Sequence, residues 1–302
     1  MTEVVDQNDL TTQPWRTPRS ALFVPSHLSA LVDKASQSEA DAVCLDLEDG
    51  VPLDRKAEGR SLLAHSVSKL VSHGKNALIR INSELEYVSY DLEYVPVNSS
   101  CVVLPKTQSL QHIESLGNAL DRLFGVRHSN DPSYGTKGPG IIAMVETAAA
   151  IQHISQDTSI RSHERLLALA VGTEDLSADL SCEPDTGLIS HAFDELSFSA
   201  NRLGVDLLGF PDSISEFEDL IRFEKGVKRG RRSGAAGAFC IHPRQISVLN
   251  TVFRPDEDTI SWAKRVIECY EEMGGTGAIS VDGKMVDPPV YRRALRMICQ
   301  IK

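Results

Sequence analysis

Eight short apolar runs recur along nearly the whole chain, and each ends on polar or charged residues. Runs rich in Val, Leu and Ile and bounded by turn residues predict strands that are buried on both faces. The amphipathic stretches between them predict helices, and this alternation predicts a parallel sheet. The runs are Leu22–Pro25, Ala42–Leu47, Ala77–Ile81, Cys101–Pro105, Gly140–Val145, Leu166–Val171, Val205–Phe210 and Ala238–Ile241.

Eight such units predict an α/β fold in the form of a closed (β/α)8 TIM barrel. In this fold the chemistry is carried by the C-terminal ends of the strands. The chain has 302 residues, enough for one barrel with short extensions. We expect a flexible N-terminal tail over residues 1–17, a catalytic barrel over 18–250 and a C-terminal helical appendage over 251–302.

The overall charge argues against some partners. A net charge of −11 and a pI near 5.3 disfavour non-specific binding to nucleic acid or to an anionic membrane surface. No apolar stretch approaches the ~18 residues of a membrane helix. The six cysteines form no CxxC pair, and the N-terminus lacks a targeting pattern, so we expect a cytoplasmic protein in a reducing compartment.

Two carboxylates follow neighbouring strands. Glu146 comes directly after the fifth run, and Asp175 follows the sixth by a few residues. Because adjacent barrel strands end at the same mouth, both side chains should project there. A pair of carboxylates without His or Cys partners suits a hard cation, most simply Mg²⁺ that keeps water or substrate oxygens. The alternative is that each acid only caps the helix that follows it.

Arg80 is a guanidinium inside the otherwise apolar third run. A buried arginine normally needs a partner. Three acids, Asp46, Glu48 and Asp49, end the second run, and Lys106 follows the fourth. Arg80 is therefore either a structural ion-pair partner of Glu48 or Asp49 or a bidentate clamp on a substrate carboxylate, and the two roles are compatible.

Other features give weaker signals. His242 ends the eighth run, either as a hydrogen-bonded rim residue or as a ligand contact. The stretch Gly234–Gly237 is preceded by the most basic segment of the chain, residues 225–232. That segment is either a solvated helix face or a docking patch for a phosphorylated ligand. No dinucleotide or P-loop motif follows a strand.

Taken in order, these segments resemble the citrate lyase β-subunit-like (CitE-like) family of the HpcH/HpaI aldolase superfamily. The resemblance covers nearly the full chain, from about residue 19 to residue 294. Its segments are Arg19–Pro25, Ala40–Val51, Asp54–Lys56, Ile79–Asn82, Leu104–Lys106, Val145–Ala148, Gly172–Leu176, Ile241–Pro243 and Asp282–Asp287.

The resemblance implies a Mg²⁺-dependent carbon–carbon lyase that acts on short acyl-CoA thioesters. Glu146 and Asp175 would be the metal ligands, with Glu146 also facing the substrate. Arg80 would hold the substrate and take part in catalysis. The products would be a 2-oxo acid and an acetyl thioester, from substrates such as citramalyl-, malyl- or citryl-CoA.

The resemblance also implies a homo-oligomer, a trimer or hexamer. Asp287 matches a catalytic acid that relatives deliver from the C-terminal appendage of a neighbouring subunit. Phe23, Ile241 and His242 match positions that line the acyl-thioester site. Where relatives carry Gly and then basic residues after the first strand, this chain has Ser26–Ala30, which leaves open a carrier other than CoA.

Three functions remain open from the sequence. The first is the lyase. The second is a thioesterase on the same metal site, which would release free thiol and the intact hydroxy acid. The third is a non-catalytic lyase subunit that keeps the barrel without turnover.

Overall fold

The structure is a computed structural model that describes residues 16–126, 138–157, 162–254, 257–274 and 277–299. The strands are β1 (Ser20–Pro25), β2 (Ala42–Asp46), β3 (Asn76–Arg80), β4 (Cys101–Leu104), β5 (Gly140–Val145), β6 (Leu166–Val171), β7 (Asp206–Leu208), β8 (Ala238–Cys240), β9 (Ile279–Val281) and β10 (Lys284–Val286). The helices are α1 (Ser29–Ser36), α2 (Lys56–Ser72), α3 (Leu85–Tyr94), α4 (Leu110–Phe124), α5 (Ala148–Gln156), α6 (Thr173–Asp179), α7 (Gly187–Leu203), α8 (Leu220–Arg232), α9 (Pro243–Phe253), α10 (Glu257–Glu272) and α11 (Pro288–Cys299).

Strands β1 to β8 form one parallel sheet that closes on itself. From β1 to β7 each strand pairs with the next in sequence, and β1 also pairs with β8. The gap between β7 and β8 is bridged in parallel by Leu208 and Gly237, and the Gly209 N–H donates to the Gly237 carbonyl at 2.9 Å. The predicted (β/α)8 barrel is therefore confirmed.

Small and medium-sized apolar side chains fill the barrel interior. Because side chains alternate across a strand, every second residue points inward. Burial raises the pKa of the Cys44 thiol well above its ordinary value, so this cysteine acts as a packing residue. The interior cluster is Ala21, Ala42, Cys44, Leu78, Cys101, Val103, Ile142, Met144, Ala168, Ala170, Leu208 and Phe239.

The predicted strands match the observed ones closely, with small differences at their ends. β5 and β6 have the predicted bounds, whereas β7 stops two residues before the end of its apolar run. Gly209 follows β7 with a φ of +116°, a conformation that leaves the extended ladder and that glycine adopts most readily. The chain thus turns out of the barrel wall at this point.

The chain divides into two compact units, the first ending at Val252 and the second running from Phe253 to Lys302. In the second unit α10 packs against α11 around buried residues that include Tyr270 and Ala294. The unit also contains a short antiparallel hairpin, β9 and β10, which the prediction of a helical appendage missed. Asp282 and Gly283 at its turn both have positive φ, as a tight hairpin turn requires.

The predicted tail falls mostly outside the described residues, which begin at residue 16. Thr17 is described, and its hydroxyl donates to the Asp206 carboxylate. Among the helices that the structure describes, none has the length and apolar character needed to cross a membrane.

We expect Gly237→Ala to destabilise the barrel by about 2 kcal/mol, because a Cβ at this position would lie 1.9 Å from the Pro18 carbonyl oxygen, and crowding of this kind costs roughly 1–3 kcal/mol. The measurement is the urea midpoint of the barrel transition. Gly187→Ala is the matched control, because a Cβ there has no neighbour within 4 Å. Equal midpoints for the two variants would contradict the tight closure.

Candidate active site

A cavity of about 370 Å³ opens at the C-terminal ends of the barrel strands. It brings together six of the residues singled out in the sequence: Phe23, Asp46, Arg80, Glu146, Asp175 and Ile241. The rest of the lining is mostly apolar and consists of Pro25, Gly50, Met144, Val171, Gly172, Thr173, Glu174, Gly209, Phe210, Ile214 and Phe239.

Asp46 fixes the guanidinium of Arg80. Arg80 Nε donates to Asp46 Oδ1 and Nη2 donates to Oδ2, each at 2.7 Å, which is the bidentate geometry of a strong arginine–carboxylate pair. The backbone N–H groups of Glu48 and Gly50 donate to the same carboxylate at 2.9 and 2.8 Å. Arg80 therefore forms an ion pair, as expected, but its principal partner is Asp46, which was not one of the two acids predicted, Glu48 and Asp49.

The surroundings of Arg80 keep it charged and aimed at the cavity. Burial alone would lower the pKa of this guanidinium, but the hydrogen bonds and charge of Asp46, together with the charge of Glu48, raise it above the ordinary value. Arg80 Cζ lies 4.6 Å from the centroid of the Phe23 ring, a cation–π distance. Phe23 in turn stacks on Phe239 at 4.8 Å.

Glu48 is a buried carboxylate between two cations. Arg80 Nη1 lies 3.1 Å from Glu48 Oε2, and Lys106 Nζ lies 3.0 Å from Oε1, but neither oxygen has a partner with hydrogen-bond geometry. Burial raises the pKa of Glu48, and the positive charges of Arg80 and Lys106 oppose that rise. Lys106 therefore pairs with an acid that follows β2.

Glu146 is the most perturbed carboxylate in the cavity. It is 2% exposed, and burial, with the charges of Asp175 and Glu48, raises its pKa from 4.5 to about 8 despite a hydrogen bond from the Lys106 backbone and the charge of Arg80. That backbone N–H donates to Glu146 Oε2 at 2.7 Å. Lys106 makes this contact with a positive φ of 46°.

The structure leaves room for Glu146 against the backbone of the next strand. A Cβ at Gly172 would lie 2.5 Å from Glu146 Oε1, so a glycine is needed for this close approach. Asp175 is exposed in the first turn of α6, where a negative charge also complements the helix dipole. The two carboxylates therefore meet in one cavity, as predicted from their positions on adjacent strands.

The donor chemistry fits a hard divalent cation. Glu146 and Asp175 offer carboxylate oxygens, and a cation between them would offset the burial that disfavours an ionised Glu146. Within the described parts of the chain, no cluster of three or more His, Cys, Asp or Glu side chains is arranged to hold a metal. Such an ion would therefore take its remaining ligands from water or substrate oxygens.

Among the described residues of the barrel unit, His242 is a predicted substrate contact that is not part of the cavity lining. The ring of His242 stacks on Phe217 at 4.9 Å, and its Nδ1 accepts from the Arg244 N–H at 3.2 Å. Asp287 belongs to the second unit, where its Oδ1 accepts from the Val290 N–H at 3.1 Å and so caps α11.

The basic segment on α8 is largely engaged in protein contacts. Arg229 donates to the Pro211 carbonyl and to Asp212 Oδ2, each at 2.8 Å. Lys228 pairs with Glu224 one helical turn away at 2.6 Å. These pairs favour the solvated helix face over a phosphate-docking patch.

The sequence analysis missed several residues that form the cavity. Phe239 is on β8, and its place could have been inferred from strand alternation, since it stands two residues before Ile241. Ile214 carries no comparable signal, because it is in a loop without periodicity. Glu174 follows the sixth run as Asp175 does, but no role was predicted for it.

A match to a known protein family identifies the family of this chain. A family model described as HpcH/HpaI aldolase/citrate lyase matches residues 19–243. The chain belongs to this family. The predicted CitE-like membership is thereby confirmed, and the matched region contains all the cavity residues named above.

Similar proteins carry more than one activity in their names. The citrate lyase subunit beta of Escherichia coli strain K12 is 29% identical over 283 residues, which cover 92% of this chain and 91% of that protein. The (3S)-malyl-CoA thioesterase of Cereibacter sphaeroides is 27% identical over 275 residues, which cover 89% of each chain. CitE of Mycobacterium tuberculosis, crystallised with magnesium, acetoacetate and coenzyme A, matches with a TM-score of 0.68 at 24% identity over 94% of this chain and 98% of that one. That last comparison shows a shared fold.

Glu146 should make the metal-free protein less stable as the pH rises. Its pKa is higher in the folded protein, about 8, than the ordinary 4.5, so its protonated form stabilises the fold below pH 4.5 and that contribution is lost as the pH rises through 8. The loss amounts to at most about 5 kcal/mol, at roughly 1.4 kcal/mol for each unit of pKa shift.

The measurement is the free energy of unfolding between pH 5 and pH 8.5 in the presence of a chelator. Glu146→Gln cannot titrate, so the wild-type value should fall relative to that of the variant across this range. Parallel pH profiles for the two proteins would show that the Glu146 pKa is not raised.

Proposed function

We propose that this chain is a Mg²⁺-dependent carbon–carbon lyase. Its substrate would be a 3-hydroxy dicarboxylic acyl thioester such as citramalyl-, malyl- or citryl-CoA, cleaved to a 2-oxo acid and an acetyl thioester. The observation that carries the proposal is the convergence of Arg80, Glu146 and Asp175 on one largely apolar cavity. Membership of the aldolase/citrate lyase family supports it.

The residues at the mouth fit the metal that the family implies. Glu146 and Asp175 would hold Mg²⁺, and the Gly172 backbone leaves space for the Glu146 side chain. When bound, the ion would act as a Lewis acid on the carboxylate and hydroxyl oxygens of the substrate. In relatives, magnesium accompanies acetoacetate and coenzyme A in the CitE complex from M. tuberculosis.

Arg80 would bind the substrate carboxylate. Asp46 takes the Nε and Nη2 edge of its guanidinium, and Glu48 lies 3.1 Å from Nη1. The N–H groups that do not point at these two acids would face a ligand, and the pairing with Asp46 holds the planar group in one orientation. A preorganised cation in a site with few waters stabilises developing negative charge without reorganisation. Arg80 would thereby offset the charge on the departing 2-oxo acid.

The bond changes balance without an added reactant. The substrate hydroxyl loses its proton, its oxygen becomes the carbonyl of the 2-oxo acid, and the bond to the thioester α-carbon breaks. The α-carbon then gains a proton. Asp287, supplied by the C-terminal unit of a neighbouring protomer, would be the group that delivers this proton. The apolar lining from Phe23, Phe239 and Ile241 would limit access of water to the thioester carbonyl.

A thioesterase remains the second candidate. The 27% identity to (3S)-malyl-CoA thioesterase over 89% of both chains favours it. In that reaction the same carboxylates and Arg80 would position the acyl group while water attacks the thioester carbonyl. The two activities differ in their products, because only the lyase releases a 2-oxo acid.

We expect a screen of acyl-CoA thioesters with Mg²⁺ to yield pyruvate, glyoxylate or oxaloacetate. Asp175→Ala should abolish this turnover and weaken Mg²⁺ binding at least tenfold, because one of only two protein ligands is lost. The thermal midpoint should change little, since the Asp175 side chain is exposed. Asp194→Ala, an exposed acid on the outer helix α7, is the matched control.

Free thiol with intact hydroxy acid would establish the thioesterase instead. Absence of Mg²⁺ binding by the wild-type protein, or binding unchanged in Asp175→Ala, would reject the metal site and favour a non-catalytic subunit.

Asp287→Ala should lower turnover at least a hundredfold while Mg²⁺ affinity changes less than threefold. A proton donor acts on the reaction and not on the metal, and loss of a helix cap costs only about 1 kcal/mol of stability. Turnover and calorimetric Mg²⁺ titration give the two values. Equal losses in both would show that the role of Asp287 is misassigned.

Mixed oligomers test whether Asp287 serves a neighbouring protomer. Asp175→Ala and Asp287→Ala proteins, each inactive alone, should regain activity when unfolded together and reassembled. Some sites then combine an intact Asp175 from one chain with an intact Asp287 from the other. No recovery would place both residues in sites built from a single chain.

A further inference from the structure

The loop between β7 and α8, residues 209–219, is fastened to the barrel mouth by side chains from other elements. Glu174 at the start of α6 accepts three hydrogen bonds from it through Oε1. The donors are Ser213 Oγ at 2.5 Å, the Ile214 N–H at 3.0 Å and the Ser215 N–H at 3.3 Å. The turn that carries Asp175 is thus tied directly to this loop.

Gln245 on α9 holds the same loop from the other side. Its side chain is buried, and its Nε2 donates to the carbonyls of Ile214 and Glu216 at 2.8 and 3.2 Å. Its Oε1 accepts from the N–H groups of Ile241 and His242, both at 3.0 Å. Ile214 therefore has its N–H bound to Glu174 and its carbonyl bound to Gln245.

With its peptide groups held on both sides, Ile214 presents its side chain to the cavity in a fixed position. It packs on the apolar cluster inside the barrel and lines the cavity together with Phe23, Phe239 and Ile241. It is also one hydrogen bond away from Glu174, the chain neighbour of Asp175. A substrate carbon whose oxygens face Asp175 would carry its substituent toward Ile214.

The charges of the cavity restrict what that substituent can be. Among the described residues that line the cavity, Arg80 is the one cation, and Asp46 already occupies one edge of it. The other charged lining residues, Asp46, Glu146, Glu174 and Asp175, are acids. A second substrate carboxylate would therefore lie without a cationic partner beside apolar side chains, an arrangement that costs several kcal/mol.

We propose that Ile214 determines the acyl specificity of this site, and that Glu174 and Gln245 are positioning residues that hold it. Ile214 selects thioesters whose hydroxyl-bearing carbon carries one carboxylate and a small apolar substituent such as methyl. A carboxymethyl substituent at that carbon is rejected. The inference rests on the proposed function and narrows its three candidate substrates to one class.

The test compares kcat/KM for three CoA thioesters that differ only in this substituent: hydrogen, methyl or carboxymethyl. The methyl compound should exceed the hydrogen compound by about tenfold, the usual value of one well-packed methyl group, and the carboxymethyl compound should be the poorest. Ile214→Ala should remove most of the methyl preference. Ile221→Ala, the same change at a side chain that is 70% exposed on α8, should leave it intact.

Two further variants test charge and position. Ile214→Arg should raise use of the carboxymethyl compound relative to the methyl compound by at least tenfold, because it adds the missing cation. Glu174→Ala should lower the ratio of kcat/KM for the methyl compound to that for the hydrogen compound, as Ile214→Ala does. Glu174→Gln keeps an acceptor oxygen and should retain the wild-type ratio. A merely structural role for Glu174 would change turnover of all three compounds equally.

Binding of the 2-oxo acids provides a readout that does not depend on turnover. With Mg²⁺ present, calorimetry should show that pyruvate binds more tightly than glyoxylate or oxaloacetate, and Ile214→Ala should erase the preference for pyruvate over glyoxylate. If no thioester is cleaved or hydrolysed, the proposed function fails, and these binding constants still decide the specificity. Equal use of the methyl and carboxymethyl compounds, or an unchanged preference in Ile214→Ala, would overturn the inference.

Discussion

The bidentate pair of Asp46 and Arg80 is the interaction on which the mouth of this barrel depends. A guanidinium at the end of an apolar strand needs a fixed counter-charge, because desolvation without one is costly. Asp46 supplies it on the neighbouring strand, where the parallel register places it opposite Arg80. The close approach of Gly50 completes the set of donors, since a Cβ there would lie 2.5 Å from Asp46 Oδ2.

The remaining charges at the mouth follow from this pair. Asp46 occupies one edge of the Arg80 guanidinium. The charge of Glu48 is balanced by the remaining edge of Arg80 and by the Lys106 ammonium group. Among the described residues, Glu146 then has a single hydrogen-bond donor, the Lys106 backbone N–H, and it lies near the negative charges of Asp175 and Glu48. The local excess of acids is the physical reason that a divalent cation suits this site and that a second substrate carboxylate inside the cavity would lack a cationic partner.

The sequence predicted the barrel because the determining signal is local. Buried parallel strands need continuous apolar runs, and the residues that follow them must meet at one mouth, so Arg80, Glu146 and Asp175 could be grouped without coordinates. The fastening of Ile214 could not be found this way. It depends on hydrogen bonds from the loop to Glu174 on α6 and to Gln245 on α9. No periodicity or residue spacing in the sequence indicates these contacts.

The sequence also failed to predict very short strands. Strands β9 and β10 have three residues each, too few to show an alternation above the background of a charged segment. The placement of His242 shows a related difficulty. The family resemblance places it with Ile241 among residues that line the acyl-thioester site, but the chain turns into α9 there, and the imidazole stacks on Phe217.

Lys106 places two unlike demands on a single position. Its backbone adopts a left-handed conformation, which glycine and asparagine tolerate best, and the resulting N–H direction reaches Glu146. Its ammonium group meets Glu48, which only a cationic residue can do. A glycine or asparagine here would ease the backbone conformation but would leave Glu48 without this positive charge. Variation at this residue should therefore be narrower than its partly exposed setting would indicate.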